Sequence, residues 1–417
     1  MKCIVIGGGI IGLSSALYLK RSGWEVTVLE KGDFEDNCSY GNCGYICPSH
    51  FIPLATPGIV KQGLKWMWNA TSPFYVQPRL DRNLIDWGMK FMRSATREHV
   101  DRAAAPLCEI SLLSQKEYET WNREGLFFAY EHKGLIELFQ TAAVAEHARH
   151  VVEKAHALGL TDTRFLSKEE TEALEPGVRL NVLGSIFFAC DAHCHPNTLM
   201  LNLRKMLLAE GVQLEPHQEV TGFEKKGGKI QTVLTNNSAF STDAVVLATG
   251  SWSREVAKRL DLRLPLMPGR GYSLTLEDSP YKVNYPSILV EGRAAITPMD
   301  GNKIRFGGTM EITSHSTPPR MNRVEGILKA VKRYYPDFVI PLPKPENIWY
   351  GYRPCSADGL PYIGRVKKWE NLVVATGHAM LGLSLGAGTG KLVSEILNEK
   401  TTSIPLDAFQ VERFGGK

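Results

Sequence analysis

The first thirty residues constrain the fold more than any other stretch, because they set a strand, a glycine turn, a helix, a second strand and an acid in order. Lys2-Cys3-Ile4-Val5-Ile6 is a short β-branched apolar run, Gly7-Gly8-Gly9-Ile10-Ile11-Gly12 supplies G-x-G-x-x-G, and Leu13 to Arg21 continues at helical spacing. Val26-Thr27-Val28-Leu29 then delivers Glu30, followed by Lys31. Gly7 permits the tight turn, Gly9 lets backbone N–H groups approach a pyrophosphate at the positive helix end, and Gly12 lets helix and strand pack closely. Glu30 sits where an acid hydrogen-bonds a ribose hydroxyl. A glycine turn alone has structural uses; with strand, helix, second strand and acid around it, it specifies a dinucleotide site. Ile4 to Leu19 also imitates the apolar core of a signal peptide. Its four glycines, the lack of a basic leader beyond Lys2 and the lack of a clear small-x-small cleavage site speak against export.

A chain of 417 residues exceeds one simple core and predicts two interleaved domains. It is 43% hydrophobic and 22% charged, without an apolar run of the ~20 residues a membrane span needs. The net charge of +4 is spread without a basic block, which does not suggest nucleic acid as a partner. Eight cysteines without an export signal read as reduced thiols in a cytosolic protein.

Beyond Glu30, Asn37 to Pro48 is a glycine-rich polar loop turning back toward the nucleotide. Cys38-x4-Cys43 matches the opening of a plant-type iron–sulfur run, but the gap to Cys47 is one residue too long and no fourth ligand is evident. Small, partly buried thiols are the better reading. Ile59, Val60, Leu64, Met67 and Trp68 share one helical face opposite Lys61, Lys65 and Asn69, and a second amphipathic patch follows in Leu84, Ile85, Trp87, Gly88, Phe91 and Met92. Such faces suit core helices of a substrate domain or a basic helix on a membrane surface.

Tyr118 to Phe139 reads as a hairpin-like region ending in a strand, Ala142 to Leu158 as a helix, and Ser167-x-x-Glu170 as a capping box. Asp191 to Pro196 opens the helix to Glu210. Cys190, His193, Cys194 and His195 carry ligand chemistry, yet adjacent residues of an extended turn point apart, so the spacing assigns no metal. A three-stranded meander from Gln213 to Thr235 leads into the apolar strand Ala244 to Leu247, ending Ala248-Thr249-Gly250. Such a strand belongs in a parallel sheet. A β-rich segment over residues 271–310, the helix Val324 to Tyr335 and a proline linker follow. The last seventy residues return through Gly351-Tyr352-Arg353-Pro354, the strand Leu372 to Ala375 and Thr376-Gly377-His378, placing a second helix start near the cofactor. A long dinucleotide such as FAD needs that grip from both ends of the chain.

Taken with Ser39 to Gly44, Lys65-Trp66-Met67, Arg270-Gly271-Tyr272-Ser273-Leu274, Asp358-Gly359-x-Pro361-x-Ile363-Gly364 and Gly382, these motifs resemble the FAD-dependent D-amino-acid oxidase superfamily, the glycine and sarcosine oxidase group, and within it bacterial D-amino-acid dehydrogenases, D-hydroxyproline enzymes included. The resemblance covers nearly the whole chain. It implies an α/β fold: a Rossmann-type FAD-binding domain (1–57, 142–260, 345–417) with an inserted α+β substrate domain on a mostly antiparallel sheet (58–141, 261–344). It implies hydride transfer from substrate Cα to the flavin, an imino acid hydrolysed to a 2-oxo acid, and electrons passed to a quinone or protein carrier. Small neutral or cyclic D-amino acids, D-proline and D-hydroxyproline among them, are the candidate substrates.

The resemblance puts the substrate-carboxylate fork at Arg353, a role its planar guanidinium suits. Tyr272 is a pocket wall, a partner of the substrate carboxylate or a core tyrosine, and His378 touches the flavin or only orders its turn. The remaining FAD contacts fall on Gly7, Gly9, Ile10, Ile11, Gly12, Glu30, Lys31, Ser39, Asn42, Gly44, Val220, Gly250, Trp252, Gly377, Met380, Leu381, Gly382 and Leu383. No cysteine lies in Thr376 to Gly382, so non-covalent FAD is expected. Packing inward is the favoured reading of the basic tryptophan face, and peripheral contact with the inner face of the cytoplasmic membrane is the alternative. An oxygen-using oxidase, a non-catalytic flavin subunit or thiol sensor, and an NAD-linked dehydrogenase are the competing readings.

Overall fold

A computed structural model describes residues 1–58 and 73–415. The amphipathic face at 59–69 lies outside the described residues. The chain opens as its spacing predicts, with β1 (Lys2–Ile6), a helix over Ile10–Arg21 and β2 (Glu25–Leu29), the two strands paired in parallel. Both strands bury every residue but the first, which is why they read as unbroken apolar runs. The first helix packs on the helix Gly386–Leu397, and Gly390 permits that approach because a Cβ there would meet the backbone of Ser14.

After β3 (Tyr45–Ile46) and β4 (Phe74–Val76), Asp81 caps the helix Arg82–Ser94, which buries the stacked pair Trp87 and Phe91 and leaves Ile85 and Met92 exposed. The hairpin-like region expected from Tyr118 is instead the end of a helix over Arg97–Arg123. Leu107, Ile110, Ser114, Tyr118 and Trp121 recur at three- and four-residue intervals on its buried face, a helical period that carries on past Pro106. β5 (Leu135–Phe139), a helix over Ala142–Ala157, β6 (Arg164–Ser167), a helix over Lys168–Leu174 with the expected Ser167/Glu170 capping box, and β7 (Gly184–Phe188) follow. Next come β8 (Ala192–His193), a helix over Pro196–Ala209, β9 (Gln213–Glu215), and the meander β10 (Val220–Lys226), β11 (Lys229–Thr235) and β12 (Ala239–Ser241). The meander therefore starts after β9, which joins another sheet. The rest is β13 (Ala244–Leu247), β14 (Leu266–Leu276), β15 (Ser287–Leu289), β16 (Ala294–Pro298), β17 (Ile304–Ile312), a helix over Met321–Tyr334, β18 (Trp349–Ser356), β19 (Tyr362–Val366) and β20 (Trp369–Thr376).

Two large sheets organise the molecule. The first has the order β19-β20-β13-β1-β2-β9 and is parallel except at β19. The second runs β18-β14-β17-β16-β15-β5-β7-β6 with β4 beside β17, and is antiparallel except at β15–β5 and β4–β17. This is the expected α/β architecture, but sheet membership divides the chain elsewhere than the expected boundaries. β6 and β7, assigned to the nucleotide domain, and β18 near the carboxyl end all lie in the second sheet, while the Arg97–Arg123 helix packs on the Gly386–Leu397 helix. Apolar periodicity announces a buried strand without saying which sheet it joins. Among the described residues no helix is long and apolar enough to cross a membrane.

Candidate cofactor and substrate site

One cavity of about 1520 Å³ runs between the two sheets, from Gly9 and Glu30 to Arg353 and Gly382. At its first end the turn after β1 is fixed by backbone contacts. Gly7 has φ +112° and a Cβ there would collide with the Ala248 carbonyl; a Cβ on Gly12 would collide with the Gly7 carbonyl oxygen. Gly9 differs, since the nearest atom to its Cβ position is Ser39 Oγ at 3.6 Å. The first helix has no side-chain cap of its own, and Ser39 Oγ accepts from Ile10 N at 3.1 Å. That leaves an uncrowded positive helix end beside the cavity, a cradle that fits a pyrophosphate. Glu30, at the end of β2, accepts from Gly8 N at 2.6 Å and Gly32 N at 2.9 Å, so its carboxylate is fixed at the cavity wall. These residues fit a dinucleotide.

Lys31 lies over the Trp252 ring at 3.4 Å, and Trp252 stacks on His315 at 4.5 Å with 9° between the planes. Burial, then Lys31 and Arg254, push His315 down to about 4, which keeps the ring neutral in the stack. Of the remaining expected cofactor residues, Ile10, Ile11, Ser39, Asn42, Val220, Gly250, Met380, Leu381, Gly382 and Leu383 line the cavity. Gly12, Gly44 and Gly377 do not, and act through the backbone: Gly44 (φ +81°) packs on the Cys194 carbonyl and Gly377 (φ +82°) on the Tyr362 ring.

At the second end, Arg353 projects from β18 across Gly271 of β14, and its Nη1 donates to the Thr309 carbonyl. Among the described residues no carboxylate pairs with Arg353, and burial lowers its pKa from the ordinary value. A half-buried guanidinium of this kind on a cavity wall is set up to receive an anion. Tyr272 lines the cavity, but its hydroxyl donates to Glu311 at 2.7 Å, and burial with that carboxylate raises its pKa. Arg270 and Arg323 also donate to Glu311, so the hydroxyl belongs to a buried charge network. His378 lies 3.0 Å from Thr389 Oγ1 through Nε2, and burial depresses it to about 3. It ties the turn after β20 to the last helix, although it also lines the cavity.

The cysteines and histidines separate. Cys38 Sγ accepts from Tyr352 N at 3.2 Å, and Cys43 packs against Gly307. His193 bridges to Glu131 through its backbone, His195 pairs with Asp300 at 2.6 Å, and Cys194 is buried. Sequence reasoning missed Arg305, which fixes the Ser39-to-Gly44 loop by donating to the Tyr40 and Asn42 carbonyls at 2.9 and 2.7 Å and to Asn197 Oδ1 at 3.0 Å. One arginine in an alternating strand carries no signal of such a role.

The family model of FAD dependent oxidoreductases, DAO, matches residues 2–396. A D-amino acid dehydrogenase of Neisseria meningitidis serogroup C is 31% identical over 99% of this chain and 100% of its own length. A D-amino acid dehydrogenase of Helicobacter pylori is 29% identical over 97% of this chain and 98% of its own. Among solved structures, glycine oxidase from Geobacillus kaustophilus superposes with a TM-score of 0.75 at 22% identity, covering 99% of this chain and 98% of that one. L-proline dehydrogenase from P. horikoshii gives 0.74 at 18%, covering 99% and 97%. These two likenesses concern the fold.

Proposed function

Because the chain belongs to the DAO family of FAD-dependent oxidoreductases, we propose that it is a D-amino-acid dehydrogenase that oxidises the Cα–N bond of its substrate to an imino acid, which water hydrolyses to a 2-oxo acid. The observation that carries this reading is Arg353, a half-buried guanidinium on the cavity wall with no carboxylate partner among the described residues. The full-length relatives named D-amino acid dehydrogenase support the D configuration.

FAD, when bound, supplies the acceptor for the substrate hydride. The turn from Gly7 to Gly12 with Ser39 holds its pyrophosphate, Glu30 its ribose, and the Gly377-to-Leu383 turn closes on it from the other end of the chain, without a covalent link. In this reading the parallel sheet carries the cofactor and the antiparallel sheet covers it. Arg353 fixes the substrate carboxylate bidentately and so orients Cα, which contributes by positioning. Tyr272 acts as a wall whose hydroxyl Glu311 holds, and His378 orders the cofactor turn.

Electrons leave to a quinone or a protein carrier. The exposed Ile85, Met89 and Met92 on the Arg82–Ser94 helix support peripheral contact with a membrane surface, where a quinone is met.

The test is an anaerobic absorbance titration of the flavin-loaded protein with paired D- and L-amino acids, D-proline and D-hydroxyproline included. Bleaching by D-isomers alone is the expected result. A flavin that stays oxidised with every substrate would point to the non-catalytic or sensor reading, and stoichiometric peroxide in air would make it an oxidase.

A further inference from the structure

Cys47 and His50 are neighbours on one loop and Asp191 comes from a distant part of the chain, yet their donor atoms all lie within 4.8 Å of one another. Cys47 and Asp191 are buried, at 1% and 0% exposure, and Cys47, Ser49 and His50 line the large cavity. Ser49 organises the cluster. Its backbone N donates to Asp191 Oδ1 at 3.0 Å, its Oγ donates to Oδ2 at 2.5 Å, and the same Oγ lies 3.2 Å from His50 Nδ1. The carboxylate is thereby held in one orientation, and Nε2 is the imidazole nitrogen left to act as a ligand.

Glu137, a half-buried acid on the cavity wall, interacts with Asp191 and with Arg293. The Cys190 thiol donates to Asp191 Oδ1 at 3.4 Å.

We propose that Cys47, His50 and Asp191 bind one divalent transition-metal ion, with the fourth position open to the cavity. Thiolate, imidazole and carboxylate together are the tetrahedral donor set of Zn²⁺. Cys47-Pro48-Ser49-His50 places two of the ligands with two residues between them, a chelating interval found in such sites. Ser49 is then the outer partner that orients the ligating carboxylate. Binding releases the Cys47 proton to solvent, so the sulfur ligates as thiolate and affinity rises with pH.

The test uses tag-free, FAD-loaded protein from zinc-supplemented cells, dialysed without chelator, with metal measured by plasma mass spectrometry and flavin by absorbance on the same sample. About one zinc per chain is expected, as for a folded site of this donor set. The Co²⁺-exchanged protein should show a thiolate-to-cobalt charge-transfer band that Cys47→Ser abolishes. Both Cys47→Ser and His50→Gln should lower zinc at least ~10-fold at unchanged flavin content, the range that even outer partners of a ligand command. His50 is only partly buried, so its variant carries the test if Cys47→Ser fails to fold. Flavin-replete wild-type protein with less than about a tenth of a zinc per chain would overturn the proposal, because a site with three protein ligands of this donor set keeps its zinc through dialysis without chelator. Zinc that survives the His50 substitution unchanged would overturn it as well.

Discussion

The guanidinium of Arg353 lies across the face of Gly271, where a Cβ would overlap Cζ and both terminal nitrogens. Gly271 pairs with Gly351 between β14 and β18, and Gly269 pairs with Arg353 itself. Gly271 has no positive φ, so the strand accepts alanine and only the arginine must move. Gly271→Ala is expected to keep its flavin and its fold while kcat/KM for a D-amino acid falls ~100-fold, the effect of misplacing a positioning group by about 1 Å. The loss should fall mainly on KM. Steady-state kinetics with KM unchanged would remove Arg353 from the carboxylate role.

Removing the guanidinium is the sharper version of that experiment. Arg353→Ala leaves the bound carboxylate buried without its partner, which costs ~2–5 kcal/mol of substrate affinity. Arg353→Lys should recover only part, because an ammonium cannot reproduce the planar fork. Flavin bleaching under anaerobic titration reads the affinity directly. A variant that titrates like the wild type would favour a sensor or subunit over an amino-acid enzyme.

The two glycines at the start of the first helix should fail differently. A Cβ at Gly12 meets the Gly7 carbonyl, a backbone atom that cannot yield, so Gly12→Ala should destabilise the protein by about 1–3 kcal/mol or more, with or without flavin. A Cβ at Gly9 meets nothing closer than Ser39 Oγ at 3.6 Å. Gly9→Ala should therefore leave the flavin-free protein within about 0.5 kcal/mol of wild type, as exposed substitutions do. Its defect should appear as weaker FAD retention. Urea melts of flavin-free and flavin-loaded protein, with FAD fluorescence for release, separate the two; equal loss in both forms of Gly9→Ala would mean the cradle has no ligand.

That contrast marks what a sequence can show. The nucleotide turn was legible because glycine spacing, strand burial and a following acid all depend on local order, as does the Ser167/Glu170 cap. The placement of Arg353 on the cavity wall was legible through its motif. The Arg97–Arg123 helix was not, since its buried face from Ala103 to Trp121 straddles Pro106 and runs into a segment that reads as strand. Nor were the memberships of β6, β7 and β18, because an apolar strand looks alike in either sheet. Contacts made by long-range closure, such as Arg305 on the Tyr40 carbonyl and Asp191 on Ser49, leave no periodic trace.

A pH dependence follows from Glu175, fully buried and accepting from the backbone N–H groups of Asn284 and Tyr285, each at 2.8 Å. Burial raises its pKa from 4.5 to about 7, against the pull of those two hydrogen bonds. Between these values the folded protein keeps a proton that the unfolded chain has released, so stability falls as pH rises from 4.5 to 7 and levels off above. At 1.36 kcal/mol per unit the effect is at most roughly 3 kcal/mol. His378, depressed from 6.5 to about 3, acts oppositely: its contribution grows as pH rises from 3 to 6.5. The two overlap, so the wild-type curve alone cannot separate them. Glu175→Gln keeps an acceptor without the charge, and the difference between variant and wild type isolates the acid. Urea unfolding should show the two proteins close together at pH 4.5 and the variant gaining steadily up to pH 7. Parallel stability curves across that interval would mean that Glu175 is not protonated in the folded state.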